Sequence, residues 1–252
     1  MTRRAIIIAA GRGQRLGPYT DDRPKCLVDV GGRTILARQI DAYAAHGVTD
    51  LHIVRGYRAD DIAVPGATYH GNPDWERNNI LQSLFCAAPA LDGPLLTSYA
   101  DILFTAEVVG RALAGRAPIT LVVDLDWSRA YDGRRDHPVA QAELTEVQGD
   151  RVVRVGKQVG PERAAGEFIG LAAYTAEGVR AMRETYADVR AARGDDEPFQ
   201  AAPLFRRAYL TDLFLELIDR GFPVGWAPIQ GGWREIDTVE DLERVRREWG
   251  SA

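Results

Sequence analysis

Hydrophobic positions in the first half of the chain switch repeatedly between two periods. Residues 5–8, Ala-Ile-Ile-Ile, form an unbroken apolar run with the β-branched content of a buried strand. Residues 34–46 place Ile35, Leu36, Ile40 and Tyr43 at helical spacing, with Gly47 as the stop. Residues 51–54 read as a strand, 79–88 as a short helix, 94–99 as a strand running to Asp101, 105–113 as a helix and 119–125 as another apolar strand. Strands alternating with helices predict an α/β protein with a mostly parallel sheet and helices on both faces.

The pattern changes in the second half. Residues 141–147 and 152–155 flank the turn Gln148-Gly149-Asp150 and read as an antiparallel hairpin. Residues 168–174 predict a strand, 175–190 a helix and 194–198 an acidic, exposed loop. One helix is expected over 204–220, carried by Leu210, Leu213, Phe214, Leu217 and Ile218, then a short strand over 224–227 and a helix over 238–249. No repeat, low-complexity tract or linker interrupts the chain, so residues 1–252 are expected to form one domain, the hairpin lying over the substrate pocket.

Composition narrows the function. The 252 residues carry a formal net charge of −5, which argues against broad binding to nucleic acid or an anionic membrane and makes any anion site local. No apolar run is long enough to span a bilayer, and the N-terminus lacks a signal-peptide core. Cys26 and Cys86 form no CxxC motif and read as reduced cysteines of a cytoplasmic protein. Four histidines without metal-ligand spacing argue against zinc. A homo-oligomer is compatible with the sequence.

The segment after the first strand, Ala9-Ala10-Gly11-Arg12-Gly13-Gln14-Arg15-Leu16, carries the chemistry, with Pro24-Lys25 close behind. Gly11 and Gly13 let the backbone turn sharply and aim N–H groups at an anion. Arg15 adds a planar fork of donors and Lys25 a point charge. The ligand implied is a polyphosphate, foremost a nucleoside triphosphate. An ATPase phosphate loop would end in Gly-Lys-Ser/Thr, which is missing. A dinucleotide fingerprint fits poorly too, because the third glycine, Gly17, comes one position late and residues 18–24 cannot start a helix. The plain alternative is a glycine-containing surface turn with solvated basic residues.

These motifs and several later ones resemble the sugar-phosphate-type nucleotidyltransferases, and within them the phosphocholine and phosphonate cytidylyltransferase branch. The matching pieces are Ala9 to Arg15 with Pro24-Lys25, Asn78-Asn79-Ile80 with Ser83-Leu84, Ser98-Tyr99-Ala100-Asp101, Val155-Gly156-Lys157, the stretch 166–171 and Trp233-Arg234-Glu235-Ile236-Asp237. The resemblance implies a Rossmann-like fold with the site beyond the carboxyl ends of the strands. It also implies Mg²⁺-dependent transfer of CMP from CTP to a small phosphate- or phosphonate-bearing acceptor such as phosphocholine, releasing pyrophosphate.

In that reading Ala9, Ala10, Gly11 and Gly13 cradle the triphosphate, Arg15 and Lys25 act on its charge, and Asn79, Ser83 and Tyr99 contact the nucleotide. Asp101 and Asp237 are the metal ligands. Lys157 holds the acceptor phosphate, and Trp127 and Glu167 complete the acceptor pocket. Local alternatives stand beside these roles. Asp237-Thr238-Val239-Glu240 also reads as a helix cap with its box partner, the Asn78-Asn79 pair as another cap, and Lys157 as a solvated surface residue. Trp75, Tyr131, Tyr174 and Trp233 are further aromatic candidates for a cationic head group, with Asp126 a carboxylate near Trp127. Arg129, Arg134 and Arg135 suit a more anionic acceptor. The competing functions are a sugar-1-phosphate nucleotidyltransferase using UTP, dTTP or GTP, and an inactive nucleotide-sensing subunit; a dehydrogenase is more distant.

Overall fold

The computed structural model describes residues 3–250. In chain order the elements are β1 (Arg4–Ala9), β2 (Asp29–Val30), β3 (Arg33–Thr34), α1 (Ile35–Ala44), β4 (Asp50–Arg55), β5 (Thr68–Gly71), α2 (Ile80–Cys86), β6 (Leu95–Tyr99), β7 (Ile102–Phe104) and α3 (Ala106–Leu113). They continue with β8 (Ile119–Asp124), α4 (Trp127–Ala130), β9 (Leu144–Gln148), β10 (Arg151–Gly156), β11 (Gly166–Tyr174), α5 (Ala176–Ala192), α6 (Leu210–Asp219), β12 (Val224–Ile229), β13 (Trp233–Glu235) and α7 (Val239–Trp249).

Nine strands form the main sheet in the order β5-β4-β1-β6-β11-β8-β12-β10-β9. The strands β5, β4, β1 and β6 run parallel, as do β8 and β12, while β11 runs against both β6 and β8. The hairpin β9–β10 continues the sheet beyond β12, and β9 pairs again with the start of β11. Those pairings close β11, β8, β12, β10 and β9 into a ring beside the open parallel half.

The apolar run of β1 is explained by cover on both faces. Ile6 and Ile8 join a core with Leu81 and Leu84 of α2, Met182 of α5 and Leu213 and Phe214 of α6. Ala5, Ile7 and Ala9 join the opposite core with Leu36 and Tyr43 of α1 and Val108 and Val109 of α3. Helix α7 seals a third cluster through Leu242 and Val245, against Leu16, Val28 and Leu103. The helices begin where the sequence offers caps: the Thr34 hydroxyl accepts from Ala37 N–H, and Thr175 from Gly178 N–H. Among the described residues, no helix is long and apolar enough to cross a membrane. Both cysteines are free thiols, Cys26 buried.

The helix expected over residues 204–220 is in two pieces, and this is a correction. A 3-10 turn, Phe205–Arg207, is followed by α6. Asp212 accepts the Tyr209 N–H at 2.7 Å, which fixes the start of α6 there. Phe205 and Ala208 nonetheless bury into the same core as Leu210 and Leu213, so the apolar rhythm runs on through the break.

Gln39 of α1 fixes the turn between β6 and β7. It is fully buried, and its Nε2 donates to the carbonyls of Tyr99 at 2.8 Å and Ile102 at 2.7 Å. The residues between those carbonyls are Ala100 and Asp101. Gln39→Leu leaves both buried carbonyls unpaired, and stability in urea should fall by about 2 to 4 kcal/mol. An unchanged unfolding midpoint would show that the turn holds without Gln39.

Candidate active site

The chain leaves β1 at Ala9 and crosses the carboxyl end of the parallel strands. Gly13 has φ 73°, and a Cβ added there would meet Lys25 Cδ at 2.7 Å. The glycine therefore lets the lysine stem lie against the loop backbone. Lys25 opens the 3-10 turn Lys25–Leu27, and its side chain is only 10% exposed. Its Nζ donates to Asp237 Oδ1 at 2.5 Å and to Asp101 Oδ2 at 3.0 Å. Arg15 bonds the other oxygen of Asp237, and His137 Nδ1 lies 3.1 Å from that same atom.

A short ladder spaces the two carboxylates. β7 pairs antiparallel with β13, Ile102 opposite Glu235, and Ile236 N–H donates to the Asp101 carbonyl at 2.9 Å. Asp101 and Asp237 thus sit together at one end of the ladder, with Lys25 between them. Asp237 does not cap α7. That role falls to Thr238, one residue on, which accepts from Asp241 N–H while Asp241 returns the bond to Thr238 N–H. The cap reading of Asp237 is corrected accordingly: its carboxylate faces three cationic or ionisable groups instead.

Burial by itself would push the Lys25 ammonium towards neutrality, but the charges of Asp101 and Asp237 outweigh it and raise its pKa. Burial likewise disfavours the Asp237 carboxylate, yet Lys25, His137 and Arg15 hold it well below the usual range. Glu235, beside them, is raised by burial and then by the charge of Asp237. Arg134 ties Glu235 down: its Nη2 donates to Glu235 Oε2 at 3.0 Å and its Nε to Asp241 Oδ1 at 2.6 Å. Arg134 is therefore committed within the protein and is not free for an anionic acceptor, as the sequence had suggested.

A second wall comes from α2. Asn72 Nδ2 donates to Ser83 Oγ at 2.9 Å and pairs reciprocally with the Asn78 amide at 2.9 Å. Asn79 occupies the cap position of α2 without a capping bond; its Nδ2 donates to the Arg207 carbonyl at 3.0 Å. The ends of the hairpin form a third wall. Lys157 Nζ donates to Gln141 Oε1 at 3.0 Å and Tyr209 OH at 3.1 Å, and lies 4.2 Å from the centre of the Tyr209 ring. Glu143 Oε2 accepts from Tyr99 OH at 3.0 Å, and Oε1 from Thr211 Oγ1 at 2.8 Å. Burial lifts the Glu143 pKa to about 7, against the hydrogen bond from Thr211 and the charge of Lys157.

These walls enclose one cleft of about 330 Å³. Ala9, Ala10, Gly11, Gly13, Arg15 and Lys25 line it from the loop side. Asn79, Ser83, Tyr99, Asp101, Lys157 and Asp237 line the rest of it. Two expected residues do not reach it. Trp127 packs with Tyr131, Ala142, Leu144 and Val159, because the chain after β8 folds back at once over the hairpin. Glu167 accepts from Tyr131 OH at 2.7 Å and lines a separate small cavity with Arg134 and Trp233; burial raises its pKa to about 8. The placement of both in the acceptor pocket is therefore corrected. Among the other aromatic candidates, Trp233 Nε1 is bound to Asp124 at 2.7 Å and Tyr174 to Thr97 at 3.1 Å, whereas Trp75 lines the cleft.

Four residues reach the cleft without having been singled out: His137, Gln141, Glu143 and Tyr209. Glu143 had a readable signal, a lone acid between Ala142 and Leu144, both of which are buried. Tyr209 had none, since it lies inside the apolar rhythm that concealed the helix break. His137, Glu235 and Asp237 offer ligand atoms within 4.8 Å of one another, a grouping that only the fold creates.

Comparison with known proteins identifies the fold and the family. A CTP:phosphoglutamine cytidylyltransferase from Campylobacter jejuni is 26% identical over 251 residues, covering 95% of this chain and 97% of the relative. The structure of an inositol-1-phosphate CTP transferase from T. maritima superposes with TM-score 0.73 at 21% identity, over 98% of this chain and 97% of that one. A CTP:phosphocholine cytidylyltransferase from Streptococcus pneumoniae gives TM-score 0.71 at 20% identity, over 98% and 99%. These likenesses show the same mixed α/β fold. The loop after β1, the α2 wall, Asp101 and most of the hairpin all fall within residues 5–155, which match the MobA-like NTP transferase domain, so the chain belongs to that family and is a nucleotidyltransferase.

Proposed function

We propose that this nucleotidyltransferase moves CMP from CTP to a small acceptor bearing a phosphate or phosphonate. An acceptor oxygen attacks the α-phosphorus, and the bond to the bridging oxygen of the leaving pyrophosphate breaks. Both reactants are anions, so alignment and charge neutralisation are the main tasks. One observation carries the reading: the Lys25 ammonium is buried between Asp101 and Asp237, at the mouth of a glycine-rich loop, while Lys157 enters the same cleft from the hairpin. The cleft thus offers one group of charges for a triphosphate and a further cation for a second anion. The full-length match to a relative named for CTP supports the choice of base. The amide and hydroxyl groups of Asn78, Asn79 and Ser83 give the α2 wall the means to bind a base.

The donor set fits Mg²⁺. Asp101 Oδ1 is buried and has no hydrogen-bond partner, and carboxylate oxygens are the ligands a hard cation takes. Asp101 and Asp237 would hold it, Asp237 giving up its bond to Lys25 or Arg15 to do so, and Mg²⁺ bound there would neutralise phosphate oxygens at the reacting centre. The protein's own groups do the rest. The loop N–H groups and Arg15 hold the triphosphate, and Lys25 stabilises charge on the transferred phosphoryl group. Lys157 draws in the acceptor anion.

Pyrophosphate release gives three tests. Lys25→Ala and Asp101→Ala should each lower kcat by about a hundredfold or more, the scale seen when one preorganised electrostatic contact is lost. Asp101→Ala should also lose its response to added Mg²⁺; full Mg²⁺-dependent turnover in that variant would remove Asp101 from the metal site. Lys157→Ala should raise KM for the acceptor while KM for CTP stays within a small factor. A reversed pattern would assign Lys157 to the nucleotide. Across CTP, UTP, dTTP and GTP, CTP should give the highest kcat/KM; a preference for UTP or dTTP with a sugar 1-phosphate would favour the sugar-nucleotide reading.

A further inference from the structure

Glu143 is an acid of the cleft whose charge is only partly answered by its surroundings. The residue is only 8% exposed, yet it lines the cleft. A buried carboxylate is matched by a cation or a metal, or it is pushed towards its neutral form, as burial does to Glu143. Among the described residues Glu143 forms no ion pair: its partners are the neutral hydroxyls of Tyr99 and Thr211. The nearby Lys157 spends its ammonium on Gln141 and Tyr209 instead. The two hydroxyls take one bond to each carboxylate oxygen, and a carboxylate that an incoming cation draws into its ionised form has about four acceptor sites, so roughly two remain open.

We infer that Glu143 recognises the end of the acceptor remote from its anion, and that the acceptor is a zwitterion whose primary ammonium donates to Glu143 while its phosphate or phosphonate faces Lys157. This rests on the acceptor class proposed above and names its second charge. A quaternary ammonium suits the site less well. Such a group has no N–H to donate and depends on open aromatic faces. The Tyr209 ring already carries the Lys157 ammonium. A Cβ on Gly170 would lie 2.5 Å from Tyr99 Cδ2, so backbone is packed against that ring, and the Tyr99 hydroxyl is bound to Glu143. Trp75 stands edge-to-face with Tyr57 at 5.3 Å. With Trp127 packed outside the cleft, no aromatic box surrounds the carboxylate among the described residues.

Three probes isolate the head group: phosphoethanolamine, phosphocholine and ethyl phosphate. Their binding to the full-length protein is measured by calorimetry, which does not depend on turnover, with pyrophosphate release from CTP followed in parallel. The wild type should bind phosphoethanolamine at least tenfold more tightly than either other probe. In Glu143→Gln that ratio should fall close to one, and Glu143→Asp, which keeps the charge, should restore part of it. Thr211→Val removes the hydroxyl that orients Oε1 while leaving the carboxylate, and should lower the ratio in a folded protein even if Glu143→Gln does not fold. Equal binding of phosphoethanolamine and ethyl phosphate by the wild type, tighter binding of phosphocholine, or a ratio unchanged in these variants would overturn the proposal. Amine selectivity without pyrophosphate release from any probe would instead refute the CTP reading and leave the role of Glu143 standing.

Discussion

A buried ammonium must have its charge answered, and the construction of this site follows from that demand at Lys25. Asp101 and Asp237 answer it, and they come from chain positions far apart in sequence. Losing one partner of a buried pair leaves a charge uncompensated, at a cost of about 3 to 5 kcal/mol. The structure therefore invests in holding the carboxylates still. The β7–β13 ladder sets their spacing, Gln39 pins the turn that carries Asp101, and Thr238 releases Asp237 from capping α7. The cations arrive on less regular backbone: Arg15 and Lys25 both belong to 3-10 segments. Negative charge is fixed just beyond strand ends, and positive charge is delivered by 3-10 turns.

The two parts of the sheet divide the work. The parallel strands β1 and β6 end in the glycine loop and at Asp101, on one side of the cleft. The ring of β11, β8, β12, β10 and β9 brings Glu143 and Lys157 to the same cleft from the hairpin. Changes in the hairpin ends can therefore reshape one side of the cleft while the strands beneath the glycine loop stay as they are.

Much of this was legible in the sequence, and the failures have identifiable physical causes. The β1 run was readable because cover on both faces removes polar alternation. That Lys25, Asp101 and Asp237 share one cleft was legible because each belongs to a motif that carried the family resemblance. The break before α6 was hidden because Phe205 and Ala208 share a core with Leu210 and Leu213. The cap of α7 was misplaced by one residue because Asp237 and Thr238 are both good caps, and only the long-range pull of Lys25 separates their roles. Trp127 was misplaced because its position after an apolar strand says nothing about the direction of the following turn. Glu143 acquires meaning only through Tyr99 and Thr211, which lie 44 and 68 residues away.

The ring also changes how this sheet meets other chains. In an open sheet both outer strands present unpaired backbone groups and invite a stranger's strand. Here the hairpin end is turned inward, since β9 bonds to both β10 and β11. Among the described residues this leaves β5 as the exposed flank of the main sheet. It is four residues long and reads Thr-Tyr-His-Gly, too short and too polar to template a long intermolecular ladder. The closure that brings Glu143 and Lys157 to the cleft thus also guards the molecule against edge-to-edge aggregation.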